Sequence, residues 1–115
     1  RSGGLVMAYV PRRGDAAWIN LNPQAGHEQA GRRPAIVLSP ESYNKKVGLC
    51  LLCPITNKSK GYPFEVAIPK DMSLTGVVLS DQAKSLDWRV RNAELITRLP
   101  EAVTNDVLVR LRTLL

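Results

Sequence analysis

The sequence predicts a mainly β domain, a small barrel or half-open sheet with one helix at its C-terminal end. Three observations carry this expectation. Short apolar runs recur at close spacing between polar loops rich in Gly, Pro and Asn. Only one segment, after Pro100, changes to helical spacing. The 115 residues, 44% hydrophobic and 23% charged, suffice for one core and are ordinary for a folded chain.

The elements follow in order. Asp15 to Leu21, "DAAWINL", alternates as a half-buried strand led by Trp18. Asn22 to Gly31 reads as a long polar loop, a feature that is often functional in a small domain. Pro34 to Ser39 is a second strand, and Pro40 to Lys46 a turn or short helix. Gly48 to Ile55 is the third and most apolar strand. Thr56 to Tyr62, "TNKSKGY", is a second polar loop, in which Gly61 supplies backbone freedom. Pro63 to Ile68 and Gly76 to Ser80 are further strands. Extended structure continues through Asp81 to Arg91, around Trp88, and briefly from Ala93. After Pro100, Val103, Val107, Leu108, Leu111, Leu114 and Leu115 make one helical stripe, read as a cover for one barrel end. Pro100 and Glu101 suit the start of that helix, and Arg110 and Arg112 its end. Residues 1–6 read as a cloning leader before a start at Met7, leaving 7–115 as one domain. No apolar run approaches the roughly 18 residues that a membrane-spanning helix needs.

The net charge is +6 and the pI about 9.8. Surface solubility and a polyanionic partner both account for such a balance. Its placement narrows the choice. From Glu28 to Lys60, Arg32, Arg33, Lys45, Lys46, Lys58 and Lys60 face only Glu28 and Glu41. Cys50-Leu-Leu-Cys53 invites a zinc or redox reading, but a strand sends positions 50 and 53 to opposite faces, and no second pair completes four ligands. Buried free thiols, suited to a reducing cytoplasm, are the expectation.

The remaining chemistry is found by exclusion and by pairing. His27 is the single histidine and no Gly-x-Ser-x-Gly turn accompanies it, so a serine hydrolase is disfavoured. No phosphate-binding Gly-x-x-x-x-Gly-Lys loop exists, and Asp81 and Asp87 stand apart rather than as a metal cluster. If the second and third strands pair antiparallel, Arg33 and Thr56 meet at one sheet end, beside Lys58 and Lys60. Guanidinium, hydroxyl and ammonium groups then rim one groove suited to a phosphate backbone. Solvated strand-end charges are the plainer account of Arg32 and Arg33.

The stretches "VPRRGDAAWINLNPQAGHEQAGRRPAIVLSP", "YNKKVGLCLLCPIT", "SKGYPFEV" and "DQAKSLDWRVR" together resemble the MazF/PemK family of toxin endoribonucleases, from Tyr9 to Leu115. The resemblance implies an SH3-like barrel with a terminal helix, acting as a cytoplasmic homodimer that a MazE-like acidic antitoxin neutralises. It implies sequence-selective cleavage of single-stranded RNA without metal or cofactor, leaving a 2′,3′-cyclic phosphate and a 5′-hydroxyl. Relatives sharing "SKGYPFEV" cut near ACA, which makes an ACA-containing motif the first expectation. The family's catalytic arginine falls on Arg33, its threonine on Thr56 and its loop glutamate on Glu28. Arg33 suits a phosphate clamp or acid, and Thr56 a hydrogen bond to the phosphate or nucleophile. Two roles fit Glu28, general base or positioning group. Arg32, Lys58 and Lys60 are assigned to phosphate attraction. Ser59, Gly61, Tyr62, Asn44, Gln82 and Lys84 are assigned to base reading. A non-catalytic barrel toxin that binds a protein such as a topoisomerase, and a plain RNA-binding barrel, are the competing readings. The Arg/Thr pair disfavours the first, and an aromatic content of 5% the second.

Overall fold

The computed structural model describes residues 9–21 and 31–115. The cloning-leader reading, Met7, His27 and Glu28 lie outside those residues. Among the described residues, seven strands and two helices follow in the order β1 (Asp15–Asn20), β2 (Arg32–Val37), α1 (Glu41–Val47), β3 (Leu49–Thr56), β4 (Glu65–Ala67), β5 (Val77–Leu79), β6 (Lys84–Asp87), β7 (Glu94–Arg98) and α2 (Glu101–Arg112). The mainly β class with a C-terminal helix is as the sequence predicts.

Every strand pairing is antiparallel, along the path β4-β5-β3-β2-β1-β7. β3 is the hub. One edge carries β2; the other carries β6 beside Leu49–Leu52 and β5 beside Ile55–Thr56. Val66 of β4 and Leu99, just after β7, belong to the same core although their strands end opposite edges of that path. The sheet therefore curls around its contents.

Alternation along β3 divides the core in two. Cys53 and Ile55 pack with Ala16, Ile36, Val66 and Val78, whereas Cys50 and Leu52 pack on the other face with Ile19, Ala35, Val37 and Trp88. The two cysteines thus face apart, as expected, and burial pushes both thiols up to about 12. α2 covers the first cluster with Val103 and Val107, joined by Leu108 and Leu111. The predicted stripe overreaches: Leu114 and Leu115 lie beyond the helix and are exposed.

One sequence assignment is overturned here. Asn44 is wholly buried in α1, so it is not a base reader. Its Nδ2 donates to the carbonyls of Pro11 (2.9 Å) and Ser39 (3.0 Å), and its Oδ1 accepts from the Ser39 hydroxyl (2.6 Å). Its own carbonyl accepts from Trp88 Nε1 at 2.9 Å. The side chain joins the entry to β1, the end of β2 and α1. Asn44→Ala leaves the Pro11 and Ser39 carbonyls without their Nδ2 donor and the Ser39 hydroxyl proton without its acceptor, and is expected to cost about 2–4 kcal/mol in urea unfolding. A loss below about 0.5 kcal/mol, the level of a surface substitution, contradicts this role.

Candidate active site

β2 begins two residues earlier than the sequence suggests, so Arg32 and Arg33 are strand residues, paired with Asn20 and Ile19 of β1. The Pro34 ring did not prevent this because pairing with β3 begins only at Ala35, so at Pro34 the strand is paired on one side alone and a missing N–H is tolerated, as on an edge strand. On the other side, Ala35 pairs with Pro54, Ile36 with Cys53 and Val37 with Leu52. The pairing stops at Ala35 and Pro54, so Arg33 and Thr56 lie two residues beyond it, at the same end of the two strands. Period-2 alternation then places both on the sheet face that carries Ala35, Val37 and Leu52. Both residues thus stand at one end of the β2–β3 pair.

The two arginines differ in their engagements. Arg32 is ion-paired with Glu94 and lies over the Trp18 ring at 5.4 Å, so its guanidinium is largely engaged within the fold rather than held out for phosphate. Arg33 is exposed and donates from Nη1 to the carbonyl of Arg32 at 2.9 Å. Among the described residues, no carboxylate forms an ion pair with it. Most of its donor fork remains for an external anion.

Thr56 is half-buried at the end of β3. Its Oγ1 accepts the Lys58 N–H at 3.1 Å, which fills one acceptor position, and among the described residues no acceptor takes its hydroxyl proton. Gly76 packs over this turn. A Cβ there would sit 2.5 Å from the Thr56 carbonyl oxygen, and its φ of +126° also requires glycine. The close passage of the chain into β5 therefore fixes the end of β3.

Residues 58–62 are all exposed beside Thr56. The Ser59 hydroxyl and the Lys60 N–H donate to the Glu65 carboxylate at 2.7 and 2.8 Å. The Tyr62 hydroxyl donates to Asp81, which raises the phenol's pKa. That bond brings the turn containing exposed Gln82 next to the loop. Lys84 is also exposed, but it pairs with Leu52, four residues along β3 from Thr56 and about 13 Å away by strand rise. The structure thus groups Arg33, Thr56 and the 58–62 loop, places Gln82 at the margin, and sets Lys84 further along the sheet. Among the described residues, no three His, Cys, Asp or Glu side chains converge as a metal site, and no helix is long and apolar enough to cross a membrane.

Glu65, Asp81 and Gly76 are the structural contributors that sequence reasoning missed. The acid of "SKGYPFEV" follows Lys60 by five residues, a spacing that joins a loop to its exit strand. No sequence periodicity marks such a carboxylate.

Among the described residues, the site's chemistry is that of a positive, hydroxyl-bearing surface. It can bind a phosphodiester, spread the charge that develops on phosphorus and donate hydrogen bonds to it.

Comparison with known proteins agrees with this chemistry. Residues 12–115 match the family described as PemK-like, MazF-like toxin of type II toxin-antitoxin system. The Endoribonuclease toxin MazF of Escherichia coli K12 is 53% identical over 89 residues, 77% of this chain and 79% of that protein. Crystalline MazF from Deinococcus radiodurans superposes with a TM-score of 0.85 at 51% identity, over 93% of this chain and 97% of that one. A chain of the MazE-MazF crystal from the same organism gives 0.84 at 45% identity, over 93% and 96%.

Proposed function

This chain belongs to the PemK-like, MazF-like toxin family of type II toxin–antitoxin systems, and from that premise we propose that it is an endoribonuclease cutting single-stranded RNA at a short motif. What supports the reading is an exposed Arg33 at the start of β2, its guanidinium in no ion pair among the described residues, with antiparallel β3 running beside it toward Thr56 and two exposed lysines on the loop that follows.

RNA brings its own nucleophile, so the site has three tasks: orient the 2′-hydroxyl, stabilise the charged phosphorane and return a proton to the departing oxygen. The 2′-hydroxyl gives its proton to a base as its oxygen bonds to phosphorus, and the P–O5′ bond breaks as the 5′-oxygen takes up a proton. The products are a 2′,3′-cyclic phosphate and a 5′-hydroxyl, and no metal is required by any of these roles. Arg33 forks onto non-bridging oxygens, as a planar guanidinium does best. Thr56 donates its free hydroxyl proton to the phosphate or orients the nucleophile. Glu28 is either general base or positioning group. Lys58 and Lys60 hold neighbouring phosphates, which position the strand without specifying it. Single strands are favoured because a duplex hides base edges in a deep, narrow groove. An ACA-containing motif is the proposed preference.

Incubating the protein with a long mixed-sequence RNA in chelator, and mapping the cuts, tests the proposal. Cuts sharing a motif of three or a few more bases support it. Cuts without a common motif leave only a general ribonuclease, and intact RNA refutes the reading.

The proposed partners are a second copy of the chain and an acidic, MazE-like antitoxin in the cytoplasm. An open apolar groove lined by Tyr43, Leu51 and Leu108 supports a dimer. The basic groove suits an acidic, partly disordered segment that competes with RNA. Antitoxin binding is expected to weaken as salt rises and to exclude an uncleavable RNA in a competition assay. Simultaneous binding with no mutual effect contradicts direct competition.

A further inference from the structure

We propose that Glu65 is the positioning residue of the RNA-reading loop, so that the motif choice depends on a side chain that does not itself touch RNA. The inference rests on the ribonuclease reading above. Residues 58–62 have no regular structure, are all exposed and carry two lysines, yet a selective enzyme must hold them in one conformation.

Glu65 supplies the restraint. It is the first residue of β4 and pairs with Leu79 of β5, so its backbone is part of the sheet. From there its carboxylate reaches back over the loop. Oε1 accepts from the Ser59 hydroxyl at 2.7 Å and Oε2 from the Lys60 N–H at 2.8 Å. Its own N–H donates to the Tyr62 carbonyl at 3.0 Å, closing the loop's exit. One residue thus bonds to three loop positions. Gly61 adopts φ +71°, which lets successive N–H groups turn toward one anion, a concave arrangement suited to an oxyanion. The Lys60 N–H, followed by the Ser59 hydroxyl, accordingly holds this carboxyl below the ordinary range, with smaller help from the Tyr62 and Gly61 N–H groups.

The arrangement also changes which loop groups can read a base. The Lys60 N–H, the Ser59 hydroxyl proton and the Tyr62 carbonyl are all engaged inward. Base reading therefore falls to groups whose placement depends on the clamp rather than to those three. The tether between the Tyr62 hydroxyl and Asp81 holds the loop from its other side. Because the folded carboxyl titrates below its ordinary value, the clamp is complete above the ordinary carboxyl range. It is lost only as pH falls through the lowered value. Motif choice is therefore constant across roughly pH 5.5–8.

The test compares Glu65→Ala and Glu65→Gln with the wild-type chain, using oligonucleotides that carry the mapped motif and each of its single-base variants. Glu65→Ala is expected to raise KM about tenfold while kcat stays within about threefold, as for lost substrate positioning. Its discrimination between the motif and its variants falls about tenfold. Glu65→Gln, which keeps one acceptor oxygen, lies between the two. Wild-type discrimination holds constant from about pH 5.5 to 8. By NMR the Lys60 amide exchanges at least about tenfold faster in Glu65→Ala. Unchanged KM and motif choice in Glu65→Ala overturn the proposal. So does a lowered KM, which would make the carboxylate a competitor for the RNA phosphate. A wild-type protein that leaves RNA intact refutes the ribonuclease reading instead. The Lys60 amide then decides the clamp separately, faster exchange supporting it and unchanged exchange overturning it.

Discussion

Arg33→Ala lowers kcat/KM on single-stranded RNA by roughly 10² or more while leaving the fold intact, the loss typical of removing one preorganised donor to a charged transition state. The fold survives because the Arg33 side chain is exposed and bonds only to the neighbouring Arg32 carbonyl among the described residues. Thr56→Ala has a comparable effect on rate, since the hydroxyl, oriented by the Lys58 N–H, is removed from the same place. The two losses do not add when combined, because residues acting on one transition state behave as a unit. Arg33→Lys restores only part of the rate, as an ammonium lacks the planar fork. Arg32→Ala is the informative control. Its guanidinium is engaged by Glu94 and Trp18, so its loss weakens RNA cleavage far less than that of Arg33. Steady-state rates with circular dichroism on each variant check the set. Wild-type rates in a folded Arg33→Ala protein contradict the assignment.

Replacing the single ribose 5′ to the cut with 2′-deoxyribose abolishes cleavage at that bond. The site holds donors and a hydroxyl for stabilising charge, and the attacking oxygen comes from the substrate. Removing that oxygen removes the reaction, whereas removing a donor only slows it. The oligonucleotide should still bind with similar affinity and act as a competitive inhibitor, since the phosphate contacts persist. Gel analysis of matched ribo- and deoxy-substituted oligonucleotides reads both effects. Cleavage at the substituted bond contradicts the use of the 2′-hydroxyl.

Much of this architecture was legible because it rests on periodicity. Alternation along Leu49–Thr56 is enough to send Cys50 and Cys53 apart, and the antiparallel return through α1 is enough to put the start of β2 and the end of β3 at one sheet end. The boundaries were less legible. Pro34 looks like a strand start, but pairing with β1 carries β2 back to Arg32. The stripe beyond Arg112 looks helical, but Leu114 and Leu115 meet no core and remain exposed. The roles of polar residues were the least legible. Asn44 carries a side chain as apt for reading bases as for joining backbone carbonyls, and only burial distinguishes these uses. Arg32 and Arg33 are chemically identical neighbours, and the strand's alternation gives one to Glu94 and Trp18 and leaves the other exposed on the opposite face. Glu65 and Asp81 act through tertiary contacts across loops, for which no local pattern exists.

The central claim is that an Arg/Thr groove cuts RNA through the substrate's own 2′-hydroxyl. Its most direct test is the chemistry of the new ends, read by mass spectrometry on a short oligonucleotide carrying the mapped motif and cut in excess EDTA. The account predicts a 5′ fragment ending in a 2′,3′-cyclic phosphate and a 3′ fragment beginning with a 5′-hydroxyl. A 5′-phosphate with a 3′-hydroxyl, or cleavage abolished by EDTA and restored by magnesium, would contradict it.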